Sequence, residues 1–390
     1  MDKHIYIITG SRAEWGILRP LYQELCRRVK SVSLVITGSH LHAQSGVSAS
    51  EIEADTGVSH HKVYITPDES GKNNRKLMFT TMANAIERFA SFFAKHKPDL
   101  VVYLGDRYEI YAAATACRLS GIRSAHISGG EITAGAFDDV LRHCLTKLSD
   151  LHFTATEEYR HRVIQLGEDP QLVFNSGELA LADLDLMPFL SLDQLQKDLG
   201  CSLNDFFLIT IHPQTCKPGH AVHGLKKLLP QLRQLHPRTR LVFTSANADP
   251  EGEEINAWIK AQSQLEPEFV NFYETLGRRR YLSTARLARC VIGNSSSGII
   301  EVPALGVPVL NLGRRQHGRP HSQAVITAEF ADNAINAALT KLLSTGFREQ
   351  CSKFSNPYAG KDSARKIADI IAKFDLSRIS AEKPFYDLPF

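Results

Sequence analysis

The stretch HISGGEITAGAFDDVLRH, His126 to His143, packs three carboxylates, three glycines and two histidines into 18 residues. Carboxylates grouped like this can act as general acids and bases. They can also simply start a helix, whose dipole favours negative charge in the first turn. If a helix begins near Phe137, Asp138 pairs with Arg142 and Asp139 with His143 at i,i+4 spacing, which reads as two ordinary surface pairs. Asp138 and Asp139 lie about 100° apart on that helix, so at most one of them faces a substrate. Glu131 precedes them in the glycine-rich turn. Upstream, LGDRYE sets Asp106, Arg107 and Glu109 at a strand-to-helix junction. Glu109 suits a routine helix start, whereas Asp106, directly after the glycine, is expected to point toward a ligand.

The second half carries a different kind of chemistry. GNSSSGIIEVP runs from a strand into Asn294, Ser295, Ser296 and Gly298, then into a helix expected to hold Glu301 in its first turns. Backbone N–H groups and serine hydroxyls at a helix start cradle phosphate, although Asn or Ser there is also a common N-cap. Glu301 is unsuited to phosphate but can accept hydrogen bonds from the two hydroxyls of a ribose. With the following GVPVLNLG strand, these features indicate a nucleotide-diphosphate site. TIHPQT leaves His212 at a strand end halted by Pro213, SANAD offers Asn247, and LGRRQHGR supplies Arg314, Arg315 and Arg319. TGSRAEWG lacks the GxGxxG fingerprint, so NAD is not indicated, but Arg12 can neutralise a phosphate charge. Each of these residues alone is as well explained by a surface or capping role. Basic and polar groups at several strand ends together suit an anionic ligand.

These residues follow apolar runs of strand length: HIYIITG, VSLVITG, PDLVVYLG, IRSAHISGG and LHFTAT in the first half, DFFLITIHP, RLVFTSANAD, FVNFYE, RCVIGNSSSG and VPVLNLG in the second. Amphipathic stretches alternate with them, among them one read from VSLVITG into SHLHAQSG. This is the pattern of βαβ units and parallel sheets. From about Asn175 to Asp205 the alternation lapses into leucine- and aspartate-rich sequence, the candidate inter-domain segment. After Arg319 an irregular tract leads to ADNAINAALTKLL and the final SARKIADIIAKF. In open parallel sheets, ligands sit at the carboxyl ends of strands, where these candidate residues fall.

The 390 residues suit two domains of Rossmann size. With 45 basic and 42 acidic residues the net charge is +3, which gives no reason to expect nucleic acid or a membrane surface. The chain has neither an 18-residue apolar span nor a signal-type start, and its seven cysteines show no CxxC spacing. Reduced thiols in the cytoplasm are therefore expected. No metal or cofactor is expected, since acid–base chemistry accounts for the acids.

In order along nearly the whole chain, TGSRAEWG, VITGSH, LGDRYE, HISGGE, FDDVLRH, LTKLSDLHF, VIQLGE, the His-Pro of TIHPQT, GNSSSGIIEVP and GRRQHGR resemble the hydrolysing UDP-N-acetylglucosamine 2-epimerases of sialic-acid biosynthesis. The resemblance extends to relatives acting on UDP-N,N′-diacetylbacillosamine. It implies an α/β fold of GT-B type, two Rossmann-like parallel-sheet domains facing a central cleft. Residues 1–180, completed by a crossover helix within 365–390, would carry the catalytic carboxylates, and residues 181–364 would bind UDP. Uracil, ribose and diphosphate would be held around His212, Asn247, Ser295, Ser296, Glu301 and Arg315, with Arg12 assisting; Arg107 is a further candidate to hold the substrate, and His212 is a catalytic candidate as well. A homodimer is implied as well.

The chemistry explains the acids. The C2 hydrogen of an intact sugar nucleotide is not acidic, so the C1–O bond must break first, and the anionic UDP leaves against positive charge and dipoles. The oxocarbenium-like ring is stabilised by a carboxylate. A base takes the C2 proton to give a 2-acetamidoglucal, an acid reprotonates the other face, and activated water adds at C1. Asp106 and Asp138 match the family's catalytic carboxylates. A further acid commonly stands two residues after the histidine, as HIEGGE, where this chain has Ser128. The chain also has one residue more between GGE and the aspartate pair than sialic-acid relatives reading SGTxDD. Either Glu131 supplies the missing acid or the site manages with fewer. The expected reaction is UDP-GlcNAc plus water to N-acetylmannosamine plus UDP, with the diacetylbacillosamine substrate as the near alternative. A non-hydrolysing epimerase, a glycosyltransferase and a non-catalytic sensor are the remaining readings.

Overall fold

The computed structural model describes residues 3–41, 47–54, 58–66, 75–134, 136–214, 219–247, 251–360 and 362–388. The chain forms two compact units: residues 1–131, 138–183 and 360–390 make the first, residues 132–137 and 184–359 the second.

The first unit is built on a seven-stranded parallel sheet. Its strands are β1 (His4–Thr9), β2 (Ser31–Ile36), β3 (His60–Lys62), β4 (Leu100–Leu104), β5 (Ser124–Ile127), β6 (Leu151–Thr154) and β7 (Val173–Asn175), in the order β3-β2-β1-β4-β5-β6-β7. β1, β4, β5 and β6 are buried along almost their whole length, as strands covered by helices on both faces must be. The order reverses between β1 and β4. Their carboxyl ends therefore flank a crevice that no crossover covers.

The last helix, Ser363–Lys373, packs in this unit against the helix Arg12–Cys26, as the resemblance implied. Ile367, Ala368 and Ile371 are buried in the core cluster that holds Leu18 and Leu21. Lys3 Nζ caps its end by donating to the carbonyls of Ile371 (2.8 Å), Ala372 (2.8 Å) and Phe374 (2.6 Å).

The second unit has a six-stranded parallel sheet. Its strands are β8 (Phe206–Thr210), β9 (Arg240–Thr244), β10 (Val270–Tyr273), β11 (Cys290–Gly293), β12 (Val309–Leu312) and β13 (Val325–Ala328), ordered β10-β9-β8-β11-β12-β13. Here the reversal lies between β8 and β11. The close β8–β11 pairing requires Gly293: a Cβ there would sit 1.9 Å from the carbonyl oxygen of Thr210, and φ is +150°.

Several elements differ from expectation. The tract after Arg319 is not irregular throughout but adds edge strand β13. The Asn175–Asp205 segment contains two single 3-10 turns and a helix, Leu192–Leu199, closed by a capping box of Ser191 and Gln194. After VITG a 3-10 turn, Gly38–Leu41, comes first, residues 42–46 of SHLHAQSG lie outside the described residues, and a helix, Val47–Ala54, follows.

Candidate active site

In the first unit the β4 loop turns at Gly105 and presents Asp106 at the switch point. Its Oδ2 accepts a hydrogen bond from Arg142 Nη2. The other guanidinium nitrogen, Nη1, donates to the carbonyl of Ser128 at 3.1 Å and lies 3.4 Å from Glu131 Oε2. One buried arginine, 4% exposed, thus binds Asp106, Glu131 and the turn between them. Burial opposes its charge, and the carboxylates of Asp106, Glu131, Asp138 and Asp139 outweigh burial, so its pKa is raised.

This corrects the surface-pair reading of Asp138 with Arg142. The helix does start at Asp138, running Asp138–Leu148, but Arg142, Leu145 and Thr146 form its buried face. Asp138 and Asp139 are half-buried in its first turn. Sequence reasoning missed the role of Arg142, although its i,i+3 spacing to Leu145 was a signal for the inner face.

Ser128, where relatives carry an acid, has φ +66°, a region that non-glycine residues seldom adopt. That conformation turns its carbonyl to Arg142. His126 fastens the same turn to the β4 loop, Nε2 donating to the carbonyl of Gly105 at 2.7 Å. Burial lowers its pKa to about 3, so it is a neutral structural tie.

Arg107, expected to hold substrate, is occupied otherwise: its Nε donates to Glu109 Oε1 at 2.5 Å and stands 3.6 Å from Glu14 Oε1. Arg12 is half-buried at the start of the helix Arg12–Cys26 on the β1 side of the same crevice.

In the second unit the loops after β8 and β11 are joined across the switch point. Asn294 Oδ1 accepts from His212 N–H at 2.7 Å, and Asn294 Nδ2 donates to the His212 carbonyl at 2.9 Å. His212 Nδ1 accepts from the backbone N–H of Asn247 at 3.1 Å, which leaves the ring proton on Nε2. Burial, then Arg315, lowers its pKa to about 3. His212 is therefore a neutral donor. Arg315 and Gln316 both donate to the Asn294 carbonyl, at 3.4 and 2.9 Å. Four expected residues, His212, Asn247, Asn294 and Arg315, are thus brought together. Arg314 is exposed, and Arg319 is buried, donating to the carbonyl of Ile132 at 2.6 Å and to Thr133 Oγ1 at 3.1 Å.

The serine loop departs from a regular helix start. Ser295 caps a single 3-10 turn, Ser296–Gly298, and the α-helix that follows spans only Glu301–Ala304. Pro303 and the turn at Gly306, φ +70°, stop it there. A helix this short has little macrodipole, so individual N–H and hydroxyl groups remain to meet an anion. Glu301 Oε1 accepts from Arg278 Nη1 at 2.5 Å, a partner that the sequence reading did not anticipate. Thr210, Tyr281, Gly293, Ser295 and Gly298 line a small cavity under this loop.

Two Rossmann-like units, acids at one switch point and neutral donors with arginine at the other, define a class of nucleotide-sugar enzymes of GT-B type. The chain belongs to the UDP-N-acetylglucosamine 2-epimerase family, whose model matches residues 23–372. It is 37% identical to the GDP/UDP-N,N′-diacetylbacillosamine 2-epimerase (hydrolysing) of Campylobacter jejuni, over 89% of each chain. It is 32% identical to the polysialic acid biosynthesis protein P7 of Escherichia coli, over 99% of this chain and 98% of that one. The crystal structure of Methanocaldococcus jannaschii UDP-GlcNAc 2-epimerase in complex with UDP-GlcNAc and UDP shares the fold. Its TM-score is 0.75 at 18% identity, covering 94% of this chain and 99% of that one. Among the described residues no helix is long and apolar enough to cross a membrane.

Proposed function

We propose that this enzyme hydrolyses a UDP-2-acetamido sugar with inversion at C2. UDP-GlcNAc and water would give N-acetylmannosamine and UDP for nonulosonic acid synthesis. The observation that carries the reading is the pair of carboxylates, Asp106 and Glu131, held on one buried guanidinium at the switch point of the first unit. Asp138 begins the helix that supplies that guanidinium.

In this reading the C1–O bond breaks first. The His212 Nε2–H, the serine loop and Arg315 meet the charge developing on the diphosphate, and Arg12 assists. Glu301, steadied by Arg278, offers its carboxylate to the ribose hydroxyls. Asp106 and Asp138 then exchange the C2 proton on opposite faces of the ring, and a carboxylate activates the water that adds to C1. Glu131 stands in for the acid absent at Ser128. The enzyme works in the cytoplasm as a homodimer. A second substrate, UDP-N,N′-diacetylbacillosamine, is favoured by the higher identity to the C. jejuni protein.

Incubation with each UDP-sugar in D2O, followed by proton NMR, tests this. Free 2-deuterated mannosamine-type sugar plus UDP is expected, and the better substrate names itself by rate. Accumulation of a UDP-mannosamine derivative without UDP release would sink the hydrolytic reading. Turnover that requires an added acceptor would indicate a transferase. Asp106→Asn and Asp138→Asn should nearly abolish turnover while UDP binding persists.

A further inference from the structure

The loop after β1 carries a buried carboxyl that none of these steps uses. Glu14 sits in the first turn of the helix Arg12–Cys26, and its N–H donates to the capping hydroxyl of Ser11 at 3.3 Å. Its side chain turns back, so that Oε2 accepts from the backbone N–H of Gly10 at 2.6 Å. Oε1 lies 3.6 Å from Arg107 Nε, which donates at 2.5 Å to Glu109 Oε1. Glu109 is 1% exposed, and its Oε2 has no hydrogen-bond partner among the described residues.

Both carboxyls press on one backbone position. A Cβ on Gly10 would stand 3.1 Å from Glu109 Oε1 and 3.4 Å from Glu14 Oε2. A Cβ on Gly38, in the β2 loop, would stand 2.7 Å from the Gly10 carbonyl oxygen and 3.1 Å from Glu109 Oε1. Ser39 Oγ donates to that Gly10 carbonyl at 3.0 Å. The loops after β1, β2 and β4 therefore close around two acids that share a single guanidinium.

The charged groups facing Glu14 are Arg107, Glu109 and Asp106, and Asp106 already has Arg142. His40, which faces Arg107 from the β2 loop, is neutral, because burial holds its pKa near 4. Two buried carboxylates thus face the Arg107 guanidinium, an arrangement that favours a proton on Glu14.

We propose that Glu14 is a proton-holding positioning residue. It ties the β1 loop bearing Arg12 to the β4 loop bearing Asp106, and its ionisation weakens binding of the anionic UDP-sugar. Burial, opposed by Arg107 and reinforced by Glu109, raises its pKa to about 7. A carboxyl with a raised folded-state pKa gives up stability as pH climbs from its unfolded value through the folded one. An anion bound at the neighbouring loop raises that pKa further, and by reciprocity ionised Glu14 weakens the anion.

The binding arm of the test rests on the proposed UDP-sugar activity, whereas the thermal arm does not. Glu14→Gln keeps an oxygen for the Gly10 N–H and cannot ionise. Between pH 5 and 8 the thermal midpoint of the wild type should fall relative to that of Glu14→Gln. KM for the UDP-sugar should rise about tenfold from pH 6 to 8.5 in the wild type, the size of one pKa unit of coupling, and stay flat in the variant. Glu109→Gln, which leaves Arg107 to Glu14 alone, should also lose the thermal slope. Parallel midpoint curves in both variants, or a KM rise that persists in Glu14→Gln, would overturn the proposal. If no UDP-sugar is turned over while the curves diverge as expected, the functional reading fails and the proton assignment stands.

Discussion

Replacing Arg142 tests the centre of the first-unit site. Its side chain is 5% exposed and stands between Asp106 and Glu131, whose side chains are 16% and 4% exposed. Arg142→Met keeps volume and removes the cation, leaving two little-hydrated carboxylates beside each other and the Ser128 carbonyl without its donor. Breaking a buried pair by removing one partner costs about 3–5 kcal/mol, more than the pair itself is worth, because the remaining charge has lost its water. With a urea dependence of about 2–3 kcal/mol per molar, the unfolding midpoint should fall by roughly 1–2.5 M. The chain has two tryptophans, Trp15 in the first unit and Trp258 in the second. In a Trp258→Phe background the fluorescence of buried Trp15 reports the first unit alone. Arg142→Lys restores charge but not the fork that reaches both acids and the carbonyl, so it should recover about half of the loss and little of the turnover. A change below about 1 kcal/mol in Arg142→Met would refute the assignment of this arginine as the shared counter-ion.

Three further outcomes follow from the second unit and its sheet. His212 is neutral above its lowered pKa of about 3. UDP affinity measured calorimetrically from pH 5.5 to 8 in His212→Asn and wild type should therefore differ by a constant factor, and a wild-type inflection absent from the variant would count against the neutral ring. Arg278→Met, which frees Glu301 from its 2.5 Å partner, should raise KM for the UDP-sugar more than it lowers kcat; the reverse pattern would remove Arg278 from nucleotide binding. Gly293→Ala should cost about 3 kcal/mol or more, because its Cβ would collide with the Thr210 carbonyl at 1.9 Å. A melting point within 2 °C of wild type would show that β8 and β11 separate more easily than their pairing implies.

The alternation of apolar runs with amphipathic stretches made both parallel sheets legible, because a strand buried on both faces must be continuously apolar. Edge strands β3, β7 and β13 were not, being three or four residues long and only partly buried. Candidate residues at strand ends were legible for the same topological reason, and His212, Asn247, Asn294 and Arg315 do converge. What sequence concealed was partnership. Arg142 read as a solvated i,i+4 partner because charge suggests exposure, yet it lies on the inner face of its helix. Arg107, a candidate for the UDP-sugar by its place after a strand, also pairs with Glu109 two residues on, a partnership the strand-end position did not disclose. Arg278 precedes Glu301 by 23 residues, and no local pattern joins them.

The two switch points solve opposite electrostatic problems with the same topology. At β1/β4 the backbone ends converge on acids, and buried carboxylates are tolerable only when cations hold them; Arg142 and Arg107 do so from inside the unit. Such arginines are spent on the protein's own charges and are poor ligands for a second anion. At β8/β11 the converging groups are an uncharged imidazole, an asparagine whose side chain locks two loops, and serine hydroxyls, with Arg315 beside them. Donors fixed by backbone bonds need no reorganisation when an anion arrives. On the proposed reading, this contrast assigns the diphosphate to the second unit and proton transfer to the first. On that reading Arg315, beside the neutral donors of the second unit, is the arginine to follow in a UDP titration.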